Sequence, residues 1–244
     1  MQDNVYDVLA ENEEQHWWAV GRRAILHSTL TSMNIPPNAE ILEVGAGTGG
    51  NISMLQSFGN VTVLEGNPNG LKYLRTKNQV SILEGYLPDT TALSNKQFDL
   101  IVLFDVLEHI ENDHQALVAL QKHLKPGGKM LFSVPAFPML WSHHDVVNQH
   151  FRRYTKSTLR RVFAESGLEV KRISYFNFFL FPVITVIRGI YNLFGIKGHD
   201  QEGMPSPVVN NILTKLFASE KFLLRYINLP FGISLFAIID KQKQ

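Results

Sequence analysis

From residue 39 onward, short unbroken apolar runs alternate with longer stretches whose apolar residues recur every three or four positions. The runs fall at 41–44, 61–64, 80–83, 98–104 and 129–134. Runs this short and this continuous predict strands buried on both faces, and their alternation with helical stretches predicts a parallel sheet covered by helices on either side. The opening of the chain, to about Met33, reads as helix: Trp17, Val20, Ala24 and Ile25 share one face, and Pro36-Pro37 ends it. Past Phe151 a helix over 155–166, a strand over 168–175 and a last strand over 233–240 complete the count at seven strands.

Between the last two strands lies a long apolar excursion, 176–228. Its first part, 175–187, is interrupted at Arg188 and is shorter than the roughly 20 residues that cross a bilayer. Gly195, Gly198, Gly203, Pro205 and Pro207 then predict a turn region before a second helical stretch, 208–226. The excursion reads as a helical cap on the sheet. The alternatives are an apolar lid over a lipophilic acceptor and a surface that docks on a membrane.

The densest chemical signal is the turn after the first strand, Glu43-Val44-Gly45-Ala46-Gly47-Thr48-Gly49-Gly50. Glycines there let bare backbone approach a ligand. Gly45, Gly47 and Gly50 also fit the spacing of dinucleotide-binding turns, so the glycines alone leave a nicotinamide cofactor open. Glu65 closes the second strand about twenty residues on, where a carboxylate can accept both hydroxyls of a ribose. Glu43, inside an apolar strand, needs a polar partner: an ammonium, or an amide of the glycine loop. The strand over 98–104 delivers Asp105 to the edge of the sheet where ligands bind. Leu124-Lys125-Pro126-Gly127-Gly128 reads as a helix-to-strand turn.

Taken together over about residues 39–135, these features resemble the class I S-adenosylmethionine-dependent methyltransferases. The E-x-G-x-G-x-G loop, the acidic strand end, Leu107-Glu108-His109 and the LKPGG turn stand in that family's order, and the chain is similar to its ubiquinone-biosynthesis group. The resemblance implies an α/β, Rossmann-like sheet of seven strands in the order 3-2-1-4-5-7-6, the last antiparallel. It implies that Gly45, Ala46, Gly47 and Gly49 hold the methionine part of S-adenosylmethionine. Glu65, with Gly66 and Asn67 beside it, would hold the ribose, Phe104 and Asp105 would lie beneath the methionine, and the Leu87 backbone would meet the adenine. Many members carry an acid after the third strand, and Gly85-Tyr86-Leu87 stands there instead. No metal is implied, and the product would be S-adenosylhomocysteine.

The acceptor side is read from the loop after the fifth strand. His144, His150 and Asp145 are candidates for proton removal, with Tyr154 behind them, because a histidine near neutrality can act as a base and a carboxylate can orient it. Their alternative role is to hold the loop in place. Trp17, Trp18, Arg22 and Arg23, together with His150-Phe151-Arg152-Arg153-Tyr154-Thr155, are expected to form one lid. Residues 150–161 carry five basic groups and no acid, which reads as a solvated helix face or a patch for an anionic acceptor. The expected activity is methyl transfer to a small, lipophilic or anionic molecule, on oxygen. A nicotinamide-dependent oxidoreductase and a non-catalytic cofactor-binding scaffold are the rivals.

Composition narrows the partners. At 244 residues, 45% hydrophobic and 18% charged, the chain reads as a single globular domain: a helical cap over 1–36, a core over 37–175 and 229–244, and the insertion. A net charge of +1 gives no sign of a nucleic-acid partner. The absence of cysteine excludes disulfides and cysteine-bound metal. Residues 1–15 hold five acids and no Lys or Arg, so no export signal is read. The expected location is cytoplasmic, with contact at the membrane periphery as the alternative.

Overall fold

In a computed structural model, described over residues 3–77, 80–194 and 203–241, the chain forms one seven-stranded sheet with helices packed on it. In chain order the elements are α1 (Asp3–Asn12), α2 (Trp17–Thr31), β1 (Ala39–Val44), α3 (Ile52–Gln56), β2 (Gly59–Glu65), α4 (Pro68–Leu74), β3 (Ser81–Glu84) and β4 (Phe98–Phe104). They continue as α5 (Asp113–Leu120), β5 (Leu124–Pro135), α6 (His143–Val147), α7 (Lys156–Glu165), β6 (Val170–Phe176), α8 (Phe181–Phe194), α9 (Pro207–Leu224) and β7 (Ser234–Asp240). The strand order is β3-β2-β1-β4-β5-β7-β6. β7 runs antiparallel to both neighbours, and the remaining pairs are parallel.

The central strands are apolar because both faces are covered. Ile41, Leu42, Leu100, Ile101, Val102, Leu131 and Phe132 are wholly buried, which is the condition that continuous Val/Ile/Leu runs satisfy. Side chains set the helix starts. Asn67 Oδ1 accepts from the Asn69 amide at 2.9 Å ahead of Pro68, and Thr155 caps α7 by accepting from the Thr158 amide at 3.2 Å.

Three local expectations change. The opening helix is two helices, because the Asn12 carbonyl accepts from the Gln15 and His16 amides and turns the chain, which lets His16 cap α2. α2 ends at Thr31, before the prolines, and Asn34 takes a positive φ of 50°. The LKPGG segment is not a separate turn but the first part of β5, irregular in register against β4, with Gly127 at φ +76°. Both halves of the excursion are helical as expected, as α8 and α9; the turn positions Gly195 and Gly198 lie outside the described residues.

α9 packs along α2 and joins the excursion to the start of the chain. Gly21 sits at that crossing, where an added Cβ would overlap the fully buried Phe217 ring. At the same seam Asn210 accepts from the Trp17 amide at 2.8 Å and donates to the Gln15 carbonyl at 2.8 Å. The helical start of the chain is thereby fixed over the end of the sheet that carries the glycine turn.

Candidate functional site

β1 ends in Val44, and the chain then reverses through Gly45 (φ +65°), Ala46, Gly47 (φ +57°), Thr48 and Gly49 (φ +87°). Two of these glycines are required for different reasons. A Cβ at Gly45 would lie 2.8 Å from Val106 Cγ2, whereas a Cβ at Gly47 would meet nothing within 4 Å. Gly47 therefore borders open space, as a cradle for a ligand needs.

Glu65, at the end of β2, is 6% exposed and holds this turn. Its Oε2 accepts from the Gly47 amide at 2.9 Å, and its Oε1 accepts from the Gly66 and Asn67 amides at 2.9 and 2.8 Å. The carboxylate expected to meet a ribose thus also shapes the loop, and its unused lone pairs stay available to hydroxyl donors. Among the described residues Glu43 finds its polar partner not in a loop amide but in Asn51, whose Nδ2 donates to its Oε1 at 3.0 Å, and its Oε2 is buried with no donor. Burial pushes the Glu43 carboxyl up to about 7. Leu87 packs partly buried on the core, and Phe104 is 6% exposed at the end of β4.

Asp105 follows β4 at φ +56°, its amide bonded to the Ser133 carbonyl at 2.9 Å. Its carboxylate accepts from Ser133 Oγ at 3.2 Å and from Arg22 Nη1. The Arg22 guanidinium in turn lies 4.4 Å from the centre of the Trp18 ring. Glu13, between α1 and α2, lies over the glycine turn: its carboxylate accepts from Thr48 Oγ1 and pairs with Lys77 at 3.4 Å, and its carbonyl accepts from Arg23. Tyr6 of α1 is buried, and its hydroxyl is pushed up by burial and by the charge of Glu65. Tyr86 stands against Gly66, where a Cβ would overlap its ring. Tyr6 and Glu13 were not foreseen as site residues, and only the acidic bias of residues 1–15 hinted at Glu13; Arg22 was expected in the lid and Thr48 only as a member of the glycine turn.

The four carboxylates Glu13, Glu43, Glu65 and Asp105 surround a glycine cradle open at Gly47. That set fits a ligand carrying an ammonium, a positively charged sulfur and a ribose, because each is a cation or a hydroxyl donor.

On the acceptor side Asp145 is the hub. It is fully buried, and its Oδ1 accepts from His150 Nδ1 at 2.8 Å and from Arg153 Nε at 2.7 Å, while its Oδ2 accepts from the Ser142 amide at 2.8 Å. Burial by itself would raise its carboxyl, but the His150 hydrogen bond and the Arg153 guanidinium hold it below the usual carboxylate range. The His150 ring packs edge-on to His109 at 4.6 Å between centroids. Burial and His150 bring the His109 imidazole down to about 4. His144 lies farther out, its ring centroid 6.1 Å from that of His150.

Tyr154 is a core residue. It is 2% exposed, its hydroxyl donates to Asp113 at 2.8 Å, and burial together with Asp113 pushes that hydroxyl far up, so it anchors the loop and is no proton acceptor. The single-lid expectation also changes. The side chains of Arg152, Arg153 and Tyr154 bond to Glu111, Asp113, Ala136, Asp145 and Leu107, the Tyr154 backbone bonds to Pro135 and Phe137, and Phe151 is bonded to Glu108. One arginine of each pair reaches the Asp105–Glu108 corner: Arg22 bonds Asp105, and Arg22 and Arg153 both bear electrostatically on Glu108.

Glu108 is wholly buried and neither of its oxygens has a donor from another residue among those described, so burial and Asp105 raise its carboxyl well above the ordinary range. Glu108, His109 and His150 each present one ligand atom, all within 4.8 Å of one another. The expectation of no metal therefore meets a group close enough together to share an ion.

A family model described as a methyltransferase domain matches residues 18–173. The ubiquinone biosynthesis O-methyltransferase of Rickettsia canadensis (strain McKiel) is 26% identical over 170 residues, 61% of this chain and 70% of that protein. Its counterpart in Rickettsia felis is 30% identical over 142 residues, 50% of this chain and 57% of that protein. Among solved structures, the methyltransferase in complex with the Haloferax volcanii Trm112 methyltransferase activator is 16% identical with a TM-score of 0.63, covering 99% of this chain and 96% of that one. Haemonchus contortus phosphoethanolamine N-methyltransferase 2, in complex with S-adenosyl-L-methionine, aligns at a TM-score of 0.55 and 16% identity over 87% of this chain and 51% of its own.

Proposed function

The chain belongs to the class I S-adenosylmethionine-dependent methyltransferases, and from that premise we propose that it methylates an oxygen of a small apolar molecule, with His150 removing the acceptor's proton. The family membership replaces the nicotinamide reading of the glycine turn. The observation that carries the proposal is the pair of His150 Nδ1 and the buried Asp145 carboxylate at 2.8 Å, which fixes the imidazole so that Nε2 is the nitrogen left for an acceptor.

S-adenosylmethionine supplies a methyl group on a positively charged sulfur, to be taken by the acceptor atom in line. The loop at Gly45–Gly49 and Glu65 would hold it, and the carboxylates of Glu13, Glu43 and Asp105 would offer partners for its cationic groups. Tyr6 of α1 and Glu13, just after that helix, cover that site and keep water from it. His150 Nε2 takes the proton of the acceptor hydroxyl, so the oxygen attacks as an anion and the proton remains on the imidazole. His109, deprotonated near neutrality, packs against it without adding charge. His144 lines the same loop. An apolar acceptor is supported by Met139, Val146 and Phe151, which are 52–75% exposed around this loop. Oxygen as the target is supported by the O-methyltransferase relatives.

His150→Ala is expected to lower turnover about 10²- to 10⁴-fold while leaving S-adenosylhomocysteine affinity unchanged. Release of S-adenosylhomocysteine in the presence of a panel of small apolar phenols measures it. Turnover equal to that of the parent would remove His150 from the chemistry. A second reading, favoured by the unpartnered Glu108 carboxylate beside His109 and His150, is that a divalent ion held there orients the acceptor oxygen. On that reading EDTA abolishes turnover and Mg²⁺ or Mn²⁺ restores it; insensitivity to EDTA leaves proton removal alone.

A further inference from the structure

α8 and α9 carry their hydrophobic residues on the side that faces away from the protein. On α8, Val183, Val186, Ile187, Ile190, Leu193 and Phe194 are 41–79% exposed and recur at helical spacing. The helix's one charged residue points inward: Arg188 is 8% exposed and donates to the Leu140 carbonyl at 3.2 Å. A helix that merely covers a core has the reverse arrangement. α9 repeats the pattern, with Phe217 and Leu224 buried and Val208, Ile212, Leu216 and Leu223 exposed, a stripe that continues to Tyr226 at 86%. Apolar surface on this scale marks an interaction site.

The charges around the stripe say what would cover it. Among the described residues of 177–228, the charges that reach the surface are Lys215, Lys221 and Arg225, all cationic, the last two at the edge against α2, where Arg225 also donates to Ser28 Oγ at 3.4 Å. The single acid, Glu220, is buried and accepts from the Phe178 and Phe179 amides at 2.7 and 3.0 Å. Among the described residues of 177–228 the apolar face thus carries surface cations and no surface acid, which complements an anionic lipid surface, with headgroups for the cations and the acyl boundary for the side chains. At about 1.5 Å per residue, the 14 residues of α8 and 18 of α9 span about 21 and 27 Å. No described helix is long and apolar enough to cross a membrane.

We propose that α8 and α9 form a docking surface for an anionic phospholipid membrane, the apolar stripe entering the interface and Lys215, Lys221 and Arg225 meeting the headgroups. The surface continues to the acceptor side, because α8 packs on the 138–140 turn whose Met139 is 75% exposed. Docking holds whichever molecule is methylated, and it is read without turnover.

The test is co-sedimentation of the full chain with vesicles of phosphatidylcholine alone and of phosphatidylcholine mixed with phosphatidylglycerol, with Tm measured for every variant. The parent is expected to pellet with the anionic vesicles and only weakly with the neutral ones. Val186→Asp combined with Leu193→Asp alters exposed positions only, and should lower partitioning at least tenfold at unchanged Tm. Lys215→Glu with Lys221→Glu should remove the preference for anionic vesicles, each cation being worth about fivefold. A parent that does not pellet with either vesicle overturns the proposal, as does pelleting that the aspartate variant leaves intact. A parent that is dimeric by light scattering, becomes monomeric in the aspartate variant and ignores vesicles assigns the face to a second copy instead.

Discussion

Asp145→Asn is expected to lower the melting temperature by on the order of 10 °C, from a loss of roughly 3–5 kcal/mol. Asparagine keeps the volume and one acceptor oxygen but removes the one anion that, among the described residues, the buried Arg153 guanidinium touches. Arg188, also buried, feels the same two charges. Breaking one partner of a buried pair leaves an unpaired charge in low dielectric, which costs more than the pair contributes. The pH dependence has a definite sign. Because the folded-state carboxyl is held below its unfolded value, its stabilisation is complete above about pH 4 and is lost as pH falls through the folded value. The Tm gap between parent and variant should therefore shrink in acid, and calorimetry from neutral pH downward checks it. A gap that widens in acid is incompatible with Asp145 as a buried anion. Turnover should fall with stability, since an asparagine at 145 leaves the His150 tautomer unspecified.

Glu65→Ala is expected to weaken S-adenosylhomocysteine binding by about 10²-fold or more. Three backbone amides, at Gly47, Gly66 and Asn67, lose their acceptor, and a ribose diol loses a charged partner at about 1.5–3 kcal/mol per bond. Part of the loss is preorganisation, because the glycine turn no longer has the carboxylate that closes it onto β2. Glu65→Gln separates the two contributions. It retains an acceptor oxygen for the Gly66 and Asn67 amides but sets an NH₂ against the Gly47 amide, so its affinity should fall between those of the parent and the alanine variant. Isothermal titration with S-adenosylhomocysteine measures both, and parental affinity in Glu65→Ala would falsify the binding role.

Much of the core was legible because its signals are local or evenly repeated. Apolar runs separated by helical stretches specify a parallel sheet, and the glycine turn, Glu65 and Asp105 each sit at a strand end that the run itself defines. Glu43 was legible only as a problem, a carboxylate that needed a partner, because Asn51 solves it from the start of the next helix. The LKPGG segment was misread because glycine and proline that mark a turn also mark an irregular strand start when a neighbouring strand supplies the pairing. Tyr154 looked like chemistry from its neighbours and proved to be core, since burial and Asp113 are properties of packing.

By itself the sequence determined the strands, their ends and the glycine turn, since each depends on residues within one strand-turn-helix unit, where spacing translates directly into geometry, while the strand order came through the family resemblance. Only the tertiary structure decided which distant groups meet. Arg22 reaches Asp105 and Glu13 reaches Thr48 because α9 holds the opening helices over the sheet, and Asp145 joins His150 to Arg153 because a five-residue helix turns back on its own loop. The orientation of α8 belongs to the same class. Helical periodicity placed its apolar residues on one stripe, but whether that stripe faces inward depends on what the rest of the chain offers to cover it, and the fold gives that place to Arg188.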